Sequence, residues 1–132
     1  MQGMSTLDHE LNKLAGYSYQ IWAFNVIDSE LTLRATHKDK KKHNVHLSFI
    51  NVHYLQTPNI WTGHFTVCPD DELIEIAGKT DLNETIEKIT EKEEYLNHFK
   101  RLFTLYKAEA ENCTVYILGK LITVEQDVNP IY

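Results

Sequence analysis

The chain reads as an α+β fold. It is expected to hold an antiparallel β-meander of five strands over about residues 17–77, a C-terminal strand, a long or kinked helix over about 82–110, and a short N-terminal helix. Three observations predict this. Aromatic and β-branched residues alternate with period two between turn signals from Tyr17 to Ile76. The apolar period lengthens to 3.6 after Asp81. A last run of strand-forming residues follows Asn112.

At the N-terminus, Leu7, Leu11 and Leu14 recur at helical spacing, and Gly16 is a natural stop. Tyr19–Ile27 and Leu31–Thr36 form a hairpin in which Asp28-Ser29 is the expected two-residue turn. That register pairs Val26 with Leu31, Phe24 with Leu33 and Trp22 with Ala35, all on one apolar face. The polar segment His37–His43 is a hairpin tip. Beyond it, Ala35 pairs with Val45, Leu33 with Leu47 and Leu31 with Phe49, so that Arg34 lies beside His46 on the other face. The alternation changes phase after Phe49, which calls for a β-bulge near Phe49-Ile50. A turn at Gln56–Asn59 leads to a fourth strand, Ile60–Val67, and a turn at Pro69–Asp71 to a fifth, Leu73–Ile76. Pairing Val67 with Ile74 and Phe65 with Ile76 extends the same layer.

Asp81 and Glu84 resemble a capping box ahead of the stripe Leu82, Ile86, Ile89. Thr90 and Glu93 repeat the pattern ahead of Leu96, Phe99, Phe103 and Tyr106. As one helix this would span ~40 Å at about 1.5 Å per residue, long for the domain, so the segment is either continuous or broken near Thr90. The final strand, Cys113–Val124, is apolar on both faces, which suits a central place in the sheet or an edge that pairs with a second copy.

The chain has 132 residues, 42% of them hydrophobic and 24% charged. These values suit one globular domain over 1–132. A core of that size forms without a disulfide or structural metal. Cys68 and Cys113 are far apart and outside any CxxC pair, so free thiols are expected. Met1–Met4 is set aside from the fold reading, and residues 125–132 form a polar tail. No run of about 18 apolar residues is present, and the first residues lack the basic start and apolar stretch of a signal peptide. A cytoplasmic location is the expectation. The formal net charge of −6 repels nucleic acid as a whole. The lysines and histidines of 37–43 are the one basic patch, and with no interleaved aromatics they read as a solubilising tip rather than a nucleic-acid contact.

Seven histidines stand in the chain. His46 and His64 are expected to project from the polar side of the sheet, His46 beside Arg34 and His64 beside Asn51. With Trp61, which follows the turn at Pro58-Asn59, these residues (Arg34, His46, His64 and Trp61) are the candidate ligand-binding set. Glu75 is one carboxylate that could join them, if the fifth strand lies beside the fourth. Asp70, Asp71 and Glu72 lack the spacing of a calcium loop and read as turn residues. No nucleophile elbow, phosphate loop, dinucleotide fingerprint or zinc-protease helix occurs. No catalytic residue, metal site or cofactor is assigned.

The reading is therefore a non-catalytic binding or protein-interaction domain, with self-association or a protein partner. One alternative is a small-molecule carrier or enzyme with a pocket between sheet and helix. Another is a nucleic-acid contact through the lysine tip.

Overall fold

The computed structural model describes residues 6–37, 40–89 and 93–125. It is α+β, with a curled antiparallel seven-stranded sheet and four helices. Helix α1 is Thr6–Glu10, continued by a 3₁₀ turn at Leu11–Leu14; β1 is Ser18–Asn25, β2 Glu30–His37 and β3 Lys40–Gln56. Two short strands follow, β4 at Ile60–Thr62 and β5 at Thr66–Val67. Then come α2 (Asp70–Ala77), α3 (Asn83–Ile89), α4 (Glu93–Leu102), β6 (Thr104–Glu109) and β7 (Thr114–Glu125). Across the sheet the order is β4-β1-β2-β3-β7-β6-β5.

That order makes the sheet curl. β4 pairs with β1 at one edge and β5 with β6 at the other. Only Gly63, His64 and Phe65 lie between them. Even fully extended, such a link carries the chain no more than ~14 Å between the flanking residues, so the two edges must approach each other. Gly63 makes the approach possible: a Cβ there would lie 2.8 Å from the carbonyl oxygen of Glu109 on β6.

The curl encloses the main core. Tyr19, Leu31, Leu33, Leu47, Phe49, Phe65, Tyr106 and Ile117 pack inside, and Leu11 and Leu14 join them from the N-terminal turn. The helical spacing of Leu7, Leu11 and Leu14 thus marks the docking face as expected. A second core lies between the sheet and α2–α4, built on Leu73, Ile76, Ile86, Ile89, Phe99 and Phe103 with Leu105 and Leu118. β6 and β7 therefore bury side chains on both faces. This explains the apolar character of both sides of β7, which lies between β3 and β6 rather than at an edge.

The β2–β3 register is as read from the sequence: Leu31↔Phe49, Leu33↔Leu47, Ala35↔Val45 and Arg34↔His46. Four expectations are corrected. First, the β1–β2 turn spans Val26–Ser29, not Asp28-Ser29. The Asn25 side chain sets it, its Oδ1 accepting from the backbone N–H of Ile27 at 3.1 Å and of Asp28 at 3.4 Å. Phe24 then pairs with Leu31, and a bulge between Ile21 and Ala23 brings Ile21 opposite Leu33 and Tyr19 opposite Ala35. Trp22 is left over and turns to the outer face. Second, the expected five-strand meander stops at β3, which neighbours β7 and not the Ile60 strand, and the expected strand Ile60–Val67 is two short strands at opposite edges of the sheet, so His64 does not adjoin Asn51. Third, Leu73–Ile76 belongs to helix α2. Its first turn carries Asp70, Asp71 and Glu72, where a helix N-terminus favours negative charge, and Leu73, Ile76 and Ala77 form its buried stripe. Fourth, the helical region is two helices ending at Leu102, and Thr104–Glu109 is a strand paired to β7. Thr90 itself lies outside the described residues, as do Lys38 and Asp39, the side chains of 40–43, residues 1–5 and the tail 126–132.

The phase change in β3 is real. Between Ile50 and Tyr54 the strand carries three residues against the single Gly119 of β7, and Asn51 adopts a positive φ of 54°. The crowding at Gly119 admits no side chain, since a Cβ would lie 2.8 Å from the Ile50 carbonyl oxygen. The Val52 N–H donates to the Ser29 carbonyl at 3.0 Å, tying this irregularity to the β1–β2 turn.

One polar contact lies deep in the main core. The Tyr106 hydroxyl donates to Asp8 Oδ1 at 2.8 Å and accepts from the Leu121 N–H at 3.1 Å. Burial, then the Asp8 carboxylate, push the phenol pKa upward, so it stays a donor. Asp8 is 3% exposed, and its carboxylate would be costly to bury without donors. Tyr106→Phe keeps the ring packing and removes both hydrogen bonds. We expect a loss of about 1–3 kcal/mol, read as a lower urea midpoint at unchanged slope.

Candidate functional site

The polar cluster that includes two of the expected site residues lies on the outer face of β1–β3. Arg34 and His46 are a directly opposed cross-strand pair. The bulge delivers Trp22 to the same face, where the Arg34 guanidinium lies 4.4 Å from the indole centroid and the His46 ring 5.8 Å from it. Arg34 Nε donates to Asn44 Oδ1 at 3.3 Å, and Asn44 is itself buried. This holds the guanidinium plane over the indole, a cation–π arrangement. Glu125 of β7 pairs with His46 on its other side.

His46 is held neutral. Burial of the ring and the neighbouring Arg34 charge lower its pKa, and Glu125 opposes them only in part. Its Nε2 is closed off and has no hydrogen-bond partner among the described residues.

The other two expected residues do not join this cluster. Trp61 is 4% exposed and belongs to the core, stacked on Tyr19 at 5.7 Å and edge-on to Phe65 at 6.2 Å. It follows the turn at Pro58-Asn59 but does not stand at a ligand site. Pairing of β4 with β1 turns it inward instead. His64 is exposed in the link between β4 and β5, away from the strands that carry Arg34 and His46. Glu75 is on α2 and so does not lie beside His64 as a strand neighbour.

Next to the Trp22 cluster the hairpin end is apolar and open. Trp22 is 49% exposed, Phe24 43%, Val26 75% and Ile27 93%. β4 covers β1 only along Ser18–Gln20. From Ile21 to Asn25 the outer edge of β1 has no strand beside it among the described residues. Ile60, also exposed, pairs opposite Gln20 at the foot of this bare stretch. The β1 strand SYQIWAFN carries no charge. The alternation alone puts Trp22, Phe24 and Val26 on the apolar face of the sheet. The signal that could have exposed them is Asn25, whose side chain caps a four-residue turn.

A second polar cluster, unforeseen from the sequence, fastens α2 to the sheet. Glu72 Oε2 accepts from the Tyr116 hydroxyl at 2.7 Å and from Lys107 Nζ at 3.3 Å. Tyr116 and Lys107 are cross-strand neighbours on β7 and β6. The Tyr116 hydrogen bond is the main reason that the Glu72 pKa lies below the ordinary carboxylate value. Cys68 also contacts Glu72; burial first, and that carboxylate second, push its thiol up to about 12. A thiol so placed stays protonated and is a weak nucleophile. The cluster is saturated by its own members, so its chemistry is that of an anchor. Both cysteines are free. Among the described residues, no group of three or more His, Cys, Asp and Glu side chains could hold a metal ion, and no helix is long and apolar enough to cross a membrane.

Comparison of the chain with protein-family models, curated proteins and solved structures finds no match in any of the three.

Two measurements check these environments. The His46 imidazole is expected to titrate below the ordinary 6.5. A histidine whose folded pKa is lowered binds its proton more readily when unfolded. Its stabilising contribution is complete above 6.5 and is lost as pH falls through the lowered folded value. The wild-type chain should therefore lose more stability on acidification than His46→Gln, with NMR titration of the ring giving the midpoint. Separately, iodoacetamide at neutral pH should label exposed Cys113 at least about tenfold faster than Cys68, read by mass spectrometry of the two peptides.

Proposed function

We propose that the chain is a non-catalytic interaction domain whose contact surface is the end of the β1–β2 hairpin, and that a second copy of the chain docks there edge to edge. The observation that carries this is the bare, uncharged edge Ile21–Asn25 flanked by exposed Trp22, Phe24, Val26 and Ile27. Edge strands are ordinarily blunted by charge, proline or cover, because their free N–H and C=O groups template pairing with another strand. Among the described residues the bulge at Trp22 is the one such device here, and it turns a large aromatic outward. Two copies related by a two-fold axis would present identical edges, so one patch serves both partners.

The polar groups beside the strip fit a rim. Arg34 is oriented by Asn44 and covers one face of Trp22, and aromatic and arginine side chains are the common anchors of protein interfaces. The strip is small beside the ~800 Å² per partner of a standard interface. The expected dimer is accordingly weak, roughly micromolar in Kd.

Size-exclusion chromatography with light scattering, over a concentration range bracketing that affinity, tests the reading. The wild-type chain should shift from monomer to dimer. Phe24→Asp combined with Val26→Lys should leave a folded monomer throughout, because both side chains are exposed and their loss costs the core little. A wild-type chain that stays monomeric at the highest concentration overturns the self-association. So does a dimer that the double variant leaves intact.

A further inference from the structure

On the opposite layer of the molecule, α3 and α4 leave between them an open groove of about 680 Å³. This lies within the ~300–1,000 Å³ typical of small-molecule sites. Its floor is apolar: Ile89, Phe99 and Phe103 are buried there, with the two phenyl rings 4.7 Å apart. Leu102 lines it while remaining 55% exposed, so the floor extends to an apolar surface that no described element covers. Every polar side chain of the lining can donate a hydrogen bond, and Lys88 carries a positive charge. Thr85 and Tyr95 bring hydroxyls, Lys88 an ammonium and His98 an imidazole. Among the described residues no carboxylate lines the groove, although acidic residues outnumber basic ones nineteen to thirteen in the chain. The acidic residues of these helices, Glu84, Glu87, Glu93 and Glu94, are exposed and lie outside the lining. Neither Lys88 nor His98 is ion-paired with a described residue.

From this juxtaposition of an aromatic floor and a hydrogen-bond-donating rim that holds the Lys88 ammonium, we infer that the α3–α4 groove binds a single-chain amphiphile with an anionic head. The tail lies along Phe99, Phe103 and Leu102, and the head meets Lys88 and His98. Burial of each methylene of the tail contributes about 0.8 kcal/mol. The head then selects by local charge: an anion gains the Lys88 ammonium at contact distance, whereas a cation is repelled by it, and this short-range preference outweighs the opposing long-range field of the net negative chain, which salt screens. The site is independent of the hairpin edge and stands or falls separately from it.

Dodecanoate and dodecyl phosphate, tested against dodecanol and dodecyltrimethylammonium below their micelle-forming concentrations, give the decisive comparison. Calorimetry would supply affinities and backbone amide shifts the location. Both anions are expected to bind at least tenfold more tightly than the alcohol, with the cation weakest and the shifts centred on α3 and α4. A preference between the two anions identifies the head group as carboxylate or phosphate. Lys88→Gln with His98→Gln should weaken the anions about tenfold and leave dodecanol unchanged, while Leu102→Asp should weaken every probe. Binding of no probe, equal binding of all four, shifts centred on the β1–β2 hairpin, or indifference to the Lys88 and His98 changes would each overturn the proposal. It would also fall if Leu102→Asp abolished self-association in a chain that binds no amphiphile, since the groove would then be the seat of a second copy.

Discussion

Closure of the sheet is the constraint from which the rest of this structure follows. Three residues, Gly63 to Phe65, connect strands that pair at opposite edges of the sheet. A link that short cannot span a flat seven-stranded sheet, whose edges would stand apart by six strand spacings of about 4.8 Å each. The sheet must roll up, and once rolled it has an inside. The inside is filled by aromatic and aliphatic side chains, with Tyr19 ringed by Trp61 and Phe65 and Phe49 edge-on to Tyr106. The sites argued above are accordingly on the outside of the roll.

Rolling also divides the outer surface into two unlike halves. On the β6–β7 side the outer face is covered by α2, α3 and α4, and the second core forms there. Glu72, Lys107 and Tyr116 fasten the first of these helices by its N-terminal turn, at a place where the helix dipole and the carboxylate reinforce each other. On the β1–β2 side no helix lies over the sheet among the described residues. Trp22, Arg34 and His46 meet there on an open surface, and β4 is too short to cover the whole of β1. The asymmetry is a matter of length: β1 runs eight residues and β4 three.

Two polar contacts tie the layers together, although the buried Trp61 Nε1 has no hydrogen-bond partner among the described residues. Tyr106 serves both Asp8 and Leu121 from one hydroxyl, linking the N-terminal helix to β6 and β7. Because an unpaired buried carboxylate is so costly, this contact specifies how α1 docks as well as helping to hold it. The bulged stretch of β3 does similar work at the other end. Its Val52 N–H reaches the Ser29 carbonyl, and His53, with Nδ1 2.9 Å from the Asn51 carbonyl oxygen, turns its ring against Phe103 at 5.1 Å. The irregularity in one strand thus joins the hairpin end to the helical layer.

Local pattern alone determined the class of the fold, the N-terminal helical stripe, the β2–β3 register and the placing of Arg34 beside His46. Each rests on residues close in sequence, where a period of two or 3.6 leaves one sensible pairing. It also located the break in alternation after Phe49, though not the Gly119 contact that makes room for it. The tertiary structure decided what short windows leave ambiguous. Leu73–Ile76 alternates over only four residues, and it becomes helix because an acidic first turn precedes it and a second core receives its stripe. Thr104–Glu109 continues a helical spacing, yet it pairs with β7, whose exposed backbone groups require a partner. Trp22 and Trp61 exchange the roles expected of them, one ejected by a bulge and the other drawn inward by pairing with β1. Such choices depend on contacts between distant segments, and the energy of those contacts does not exist until the chain has rolled up.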